Sequence, residues 1–188
     1  MTGYDVMIPI RTETLEDHGF VRLVNELAFG RRNEADLVDS LRAHAHPCIS
    51  LVAVVDEHVE LESDKLPACR RVVGHIFFSP VSIETESGDF TAMGLAPMAV
   101  LPEHQNQGIG AQLVREGLKE CLRLGENIVV VLGHPNYYPR FGFVPASSKG
   151  LRSEYDVADE VFMVTELRPG ALSGKEGLVK YHFEFGHV

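Results

Sequence analysis

Residues Pro97 to Gly125 read P-M-A-V-L-P-E-H-Q-N-Q-G-I-G and then A-Q-L-V-R-E-G-L-K-E-C-L-R-L-G. An apolar strand, a tight turn of Gln and Gly, and an amphipathic helix follow one another. A helix that opens on such a turn presents unpaired backbone N–H groups and the positive end of its dipole, which together suit an anion. Gly108 and Gly110 carry no Cβ, so a bulky ligand can approach the main chain there. The reading predicts a phosphate or pyrophosphate at this turn.

Two familiar phosphate patterns do not fit. The only candidate for a Walker loop, S-G-K-E at Ser173 to Glu176, lacks the upstream glycine and the following hydroxyl. The dinucleotide fingerprint requires a third glycine, but Gly108-Ile109-Gly110 is followed by Ala111, Gln112 and Leu113. The spacing present is Q-x-x-G-x-G, met by Gln105, Gly108 and Gly110. Met98-Ala99-Val100 precedes it, and Ile128-Val129-Val130-Val131-Leu132-Gly133 and H-P-N-Y-Y-P-R-F-G-F follow. This order resembles motif A and the Tyr-x-x-x-Gly-Phe segment of the GNAT superfamily, the acetyl-CoA-dependent N-acetyltransferases. The resemblance covers Pro97 to Val144 and, more loosely, the whole chain.

The resemblance implies acetyl-CoA as cosubstrate and an amine as acceptor. Gln105, Asn106, Gln107, Gly108, Ile109, Gly110 and Ala111 would cradle the pyrophosphate through main-chain N–H groups. The extended, amide-rich pantetheine arm would pair with a strand edge at Met98, Ala99 and Val100. An N–H near Met98 or Ala99 would polarise the thioester carbonyl. Tyr138, four residues before Gly142, would protonate the departing thiolate, with Tyr137 as its neighbouring competitor. The commoner family pattern has an asparagine several residues before the tyrosine. Here Asn136 stands only two before it, so His134 is the alternative polar contact to the arm. The general base is open between Glu26, His75 and a chain of waters. A non-catalytic acetyl-CoA sensor or partner subunit is the rival reading, since it would need the same glycine turn.

Composition narrows the class. The chain has 188 residues, 45% hydrophobic and 23% charged, which suits a single soluble domain. Residues 1–170 are expected to form the acetyltransferase domain, with 171–188 an extension that adds an edge strand. No apolar run approaches the ~20 residues a membrane helix needs, and no secretory leader is expected from the opening residues. A net charge of −10 disfavours nucleic acid and suits cationic acceptors. Three widely spaced cysteines, Cys48, Cys69 and Cys121, read as reduced thiols of a cytoplasmic protein. His44, His46 and Cys48 form H-x-H-x-C, but this spacing at a helix end points the side chains apart, so no metal site is expected.

Along the chain, Tyr4–Arg11 reads as a strand. Thr14 with Asp17 resembles a capping box before a helix that Gly30 ends. Asn33 opens a second helix, with Leu37, Val38, Leu41 and Ala45 on one face, stopped by Pro47. Strands are expected over Cys48–Asp56, Arg71–Ser82, Phe90–Leu101, Asn127–Leu132, from Phe143, over Glu160–Leu167 and over Leu178–Phe185, with a hairpin loop at Glu57–Arg70. Pro97 inside the fourth of these implies an edge, a bulge or a parting of strands. The tail strand could pair within one chain or across a homodimer. The fold class predicted is α+β: a twisted, mixed, mostly antiparallel sheet of about seven strands with helices on both faces, as the resemblance also implies.

Overall fold

The computed structural model describes residues 8–57 and 69–187. The expected loop at Glu57–Arg70 and the start of the first expected strand lie largely outside them.

The strands are β1 (Ile10–Thr12), β2 (Ile49–Glu57), β3 (Cys69–Glu84), β4 (Phe90–Val100), β5 (Ile128–Leu132), β6 (Val144–Pro145), β7 (Leu151–Ser153), β8 (Phe162–Glu166) and β9 (Gly177–Lys180). The helices are α1 (His18–Phe29), α2 (Asn33–His44) and α3 (Ile109–Arg123). All nine strands join one sheet, whose main path runs β1-β2-β3-β4-β5-β8-β6. Only β4–β5 and β7–β9 are parallel. The α3 crossover between β4 and β5 is what a parallel neighbour requires. Among the described residues there are nine strands where the sequence predicts about seven; β6 is the strand expected from Phe143, and β7 has no expected counterpart because it is too short to leave a periodic signal.

Local chemistry sets the helix ends. Asp17 accepts from both the backbone N–H and the hydroxyl of Thr14, at 2.8 Å each, and Arg11 holds the same carboxylate at 2.6 and 2.8 Å. This capping box encloses a short 3-10 turn, Leu15–Asp17, so α1 begins at His18, later than the box alone suggests. Leu15, in that turn, is 84% exposed. Gly30 ends α1 in the left-handed region at φ 70°, which glycine adopts without Cβ crowding.

Adjacent residues of β3 show which helix covers which face. A Cβ on Gly74 would meet Leu113 and Ile109 of α3 at 3.0 and 3.2 Å. The ring of the next residue, His75, bonds Asn25 of α1. Side chains alternate across a sheet, so α3 covers one face and α1 the other, with α2 packed beside α1. The tail forms a shorter strand than expected. β2 stops at Ile49 opposite Phe78, and β9 takes up the vacated side of β3 at Ser82–Glu84, with β7 on its far side. A 3-10 turn at Phe183–His187 follows.

α3 lies close to the sheet because Gly117 lets the Phe78 ring sit where a Cβ would be, at 2.4 Å. Gly117→Ala is therefore expected to destabilise the protein by about 1–3 kcal/mol through overpacking. The gain in helix propensity, up to ~1 kcal/mol, offsets this only in part. A lower urea midpoint checks it; an unchanged or higher midpoint contradicts it.

Candidate active site

Pro97 produces both a bulge and a parting of strands. In the β3–β4 ladder Ile76 faces Met98 and Phe78 faces Leu95, so Phe77 stands opposite both Ala96 and Pro97. β4 pairs with β5 only over Met93–Leu95 against Val129–Val131. Beyond Leu95 the two strands separate, and Met98–Val100 keeps β3 alone as neighbour. The backbone on the β5 side of Met98–Val100 is left as an edge.

The turn to α3 begins where that edge ends. Gln105 Nε2 donates to the Val100 carbonyl at 3.0 Å, and Gln107 Nε2 donates to the Glu103 carbonyl at 3.0 Å. Both glutamine side chains thus brace the loop. Asn106 and Gly108 have positive φ, 60° and 84°. The Gln112 N–H bonds back to the Gly108 carbonyl at 3.0 Å, so the amides just before it have no carbonyl within the helix to meet. A cleft of about 490 Å³ opens over this turn, lined by Met98, Val100, Gln105 and Asn106 and by Gly108 through Ala111. His104, Tyr137 and Arg140 complete it. Arg140 Nε donates to the Tyr137 carbonyl at 2.9 Å, and its guanidinium lies 4.3 Å from the Tyr137 ring centre. The cleft therefore carries a fixed cation beside the free amides, a combination that fits a diphosphate.

Four of the predicted residues lie outside this lining. Ala99 is buried, its side chain on the opposite face of β4 from Met98 and Val100. Gln107 is turned back onto Glu103. His134 does not line the cleft; its carbonyl accepts the Tyr137 N–H at 2.9 Å. Tyr138 lines a second pocket, of about 510 Å³, on the other side of Met98. Gly110 has a different reason from the one predicted. A Cβ there would lie 2.8 Å from the Tyr137 hydroxyl, so the glycine makes room for a tyrosine of the chain itself.

Met98 borders both cavities. The second pocket is walled by Phe29 at the end of α1, Arg31 and Glu34 at the start of α2, and Tyr138 after β5. Tyr138 is 7% exposed. Its ring packs edge-on against Tyr137 and Phe143 and covers Gly133, where a Cβ would come within 2.2 Å. Burial, with the Tyr137 phenol beside it, pushes the Tyr138 phenol well above its ordinary range. Glu34 is buried and faces Arg31, whose Nε reaches its two oxygens at 3.0 and 3.1 Å. Sequence reading passed over Glu34. The signal was there, since Glu34, Leu37, Val38 and Leu41 fall on one helical stripe and an acid on an apolar stripe is unusual.

Neither named candidate for general base lines either cavity. Glu26 pairs with Arg22 at 3.1 Å. His75 is fully buried between the Asn25 amide at 3.1 Å and the Ser50 hydroxyl at 3.0 Å. Burial, and secondarily the charge of Arg42, lowers its pKa to about 3. Cys121, read as packing, is buried on α3 with its thiol raised to about 12, chiefly by burial. His44 meets Glu184 at 2.8 Å.

Residues 51–145 match the family described as acetyltransferase (GNAT) domain. The uncharacterized N-acetyltransferase YhbS of Escherichia coli K12 is 36% identical over 176 residues, 94% of this chain and 97% of that protein. The crystal structure of Escherichia coli YhbS in complex with CoA superposes with a TM-score of 0.83 at 34% identity, covering 99% of this chain and 96% of that one. A GNAT family acetyltransferase from Brucella melitensis in complex with acetyl-CoA gives 0.70 at 34% identity, over 95% and 98%. The chain belongs to the GNAT acetyltransferase family. Among the described residues no helix is long and apolar enough to cross a membrane.

Two outcomes follow from this geometry. Gly133→Ala is expected to force the Tyr138 ring from its place and destabilise the fold by about 1–3 kcal/mol, seen as a lower urea midpoint; an unchanged midpoint contradicts the packing. The second concerns His75. Its folded pKa lies below the unfolded value near 6.5, so the unfolded chain binds a proton that the folded chain refuses. The stabilisation is present above pH ~6.5 and falls by up to ~1.4 kcal/mol per pH unit as pH drops toward the folded pKa. His75→Gln should flatten that slope in urea titrations at successive pH values, and an unaltered slope would exclude His75 as its source.

Proposed function

We propose that this chain is an N-acetyltransferase that moves the acetyl group of acetyl-CoA to a primary amine by direct attack in a ternary complex. One observation carries the reading: the opening between β4 and β5 at Met98 has the free-amide turn on one side and the Tyr138 pocket on the other. Both relatives solved with coenzyme A or acetyl-CoA share the fold over nearly the whole chain.

Acetyl-CoA supplies an activated acyl group on a thiol leaving group. The amides of Gln107 through Gly110, with Arg140, hold its diphosphate. The freed edge at Met98–Val100 accepts the extended arm as a sheet accepts another strand. Ala99 contributes main chain only. The arm then runs toward Met98, and the acyl carbon meets the acceptor in the second pocket. The amine nitrogen bonds to the acyl carbon, the carbon–sulfur bond breaks, and the sulfur takes the Tyr138 proton. The phenolate regains a proton from the nitrogen through solvent. Tyr137 reaches toward Gly110, over the turn, while Tyr138 stands in the acceptor pocket; this favours Tyr138 as the acid. Residues 1–170 with the β9 tail act as one unit in a cytoplasmic enzyme. Because β9 pairs within the chain, the sheet needs no second copy to be complete.

Tyr138→Phe should lower turnover about 100-fold while calorimetry finds coenzyme A affinity unchanged. Equal turnover would remove Tyr138 as the acid. Its pKa is raised and its protonated form is the active one, so that activity is lost only as pH passes the elevated value. Turnover should therefore rise with pH as the acceptor ammonium loses its proton and hold to about pH 10, the ordinary phenol value. A fall beginning near neutrality would contradict the assignment.

A further inference from the structure

The walls of the second pocket carry the chemistry of its occupant. Among the described residues Arg31 and Glu34 are the charged members of its lining, and they are bonded to each other. The rest is mainly apolar, Phe29 and Leu37 from the helices, Leu95 and Leu132 from the parted strands, and Phe185 from the tail, joined by the three neutral phenols Tyr138, Tyr155 and Tyr181. Tyr155, Tyr181 and Phe185 pack in series, the first pair tilted and the second edge-on, with ring centres 5.5 and 5.2 Å apart. Aromatic side chains held against one another in this way offer a large apolar area with little loss of side-chain freedom on binding.

Resting on the acetyltransferase reading above, we infer that the acceptor is a compact monoamine with an aromatic or branched aliphatic body, and not a polycation. Each additional ammonium of a polyamine or aminoglycoside would lose its water in this pocket without gaining a carboxylate, because the single acid already serves Arg31. An extended peptide would need a second strand edge, and the edge at Met98–Val100 is the one the pantetheine arm takes. The apolar surroundings also serve the chemistry. An ammonium taken out of water has its pKa lowered, so the same walls that select an apolar body deliver more of the neutral amine that attacks. No histidine base is needed, and His75 is sealed in the core away from the pocket.

The test is acetyl-CoA turnover by the full chain with phenethylamine, isoamylamine, spermidine and kanamycin as acceptors, alongside Phe29→Ala. Phe29 is 42% exposed, so its truncation leaves the core intact, which a urea midpoint verifies. Phenethylamine or isoamylamine is expected to show kcat/KM at least about tenfold above spermidine and kanamycin, from the apolar area each buries. Phe29→Ala should lower kcat/KM for phenethylamine about tenfold with coenzyme A affinity unchanged. Preference for spermidine or kanamycin, or indifference of the phenethylamine reaction to Phe29→Ala, overturns this inference and leaves the acetyltransferase reading standing. Coenzyme A binding without turnover of any of the four amines overturns both.

Discussion

The separation of β4 from β5 after Leu95 is the constraint on which the rest of the site depends. A proline donates nothing to a ladder, and the two-against-one arrangement of Ala96 and Pro97 opposite Phe77 absorbs that loss without breaking the β3 pairing. The next three residues thus remain a strand but have one neighbour. Free backbone of this kind is usually a liability. Here the turn at Gln105–Gly110 closes one end of the gap and the Tyr138 segment borders the other, so the exposed edge lies inside the molecule's working surface. Gly133 and Gly110 let the two tyrosines approach that gap from its far side.

Burial, with a smaller share from neighbouring groups, sets the protonation states of Tyr138 at this opening and of His75 in the core. Tyr138 keeps its proton because its anion would be poorly solvated, and His75 stays neutral because its cation would be. In the proposed mechanism the raised pKa keeps Tyr138 in its donor form across the working pH range, at the cost of a weaker drive for proton transfer to a thiolate. A buried amine needs less help in losing its own proton. The second pocket has the buried Tyr138 phenol in its wall, and its one lining carboxylate, Glu34, is bonded to Arg31.

Much of this was legible in the sequence, for local reasons. The strand-turn-helix from Pro97 to Gly125 follows from a proline, two glycines and an apolar period, all short-range signals, and the prediction that strands part at Pro97 needed only its missing N–H. The capping box at Thr14 and Asp17 was visible too, yet it closes on a 3-10 turn, since it fixes where the chain enters and not which helix type follows. What escaped reading comes from distant elements meeting. Tyr137 against Gly110 and Tyr155 beside Tyr181 are separated by many residues in sequence, and no periodicity records such meetings. His134 was chosen by its place after a strand end, but there its carbonyl, not its ring, has the structural task. β7 is three residues long, below the length at which alternation can be told from chance.

The polar chain through the core explains why the acceptor pocket holds its shape. Glu13 accepts from Arg42 at 2.6 Å and from the Ser50 hydroxyl; Ser50 meets His75, and His75 meets Asn25, whose amide also donates to the Val21 carbonyl at 2.9 Å. These residues belong in turn to the loop before α1, to α2, to β2, to β3 and to α1. An apolar core would hold the same elements together but would tolerate small rotations of each helix. The buried hydrogen bonds of the Asn25 amide to His75 and to the Val21 carbonyl do not, because a rotated α1 leaves unpaired polar atoms in the interior. α1 and α2 carry Phe29 and Glu34 into the pocket, so a network remote from the chemistry fixes two of its walls. The polar residues of this core therefore set two walls of the second pocket, and the proline-made gap sets its border with the cleft over the turn.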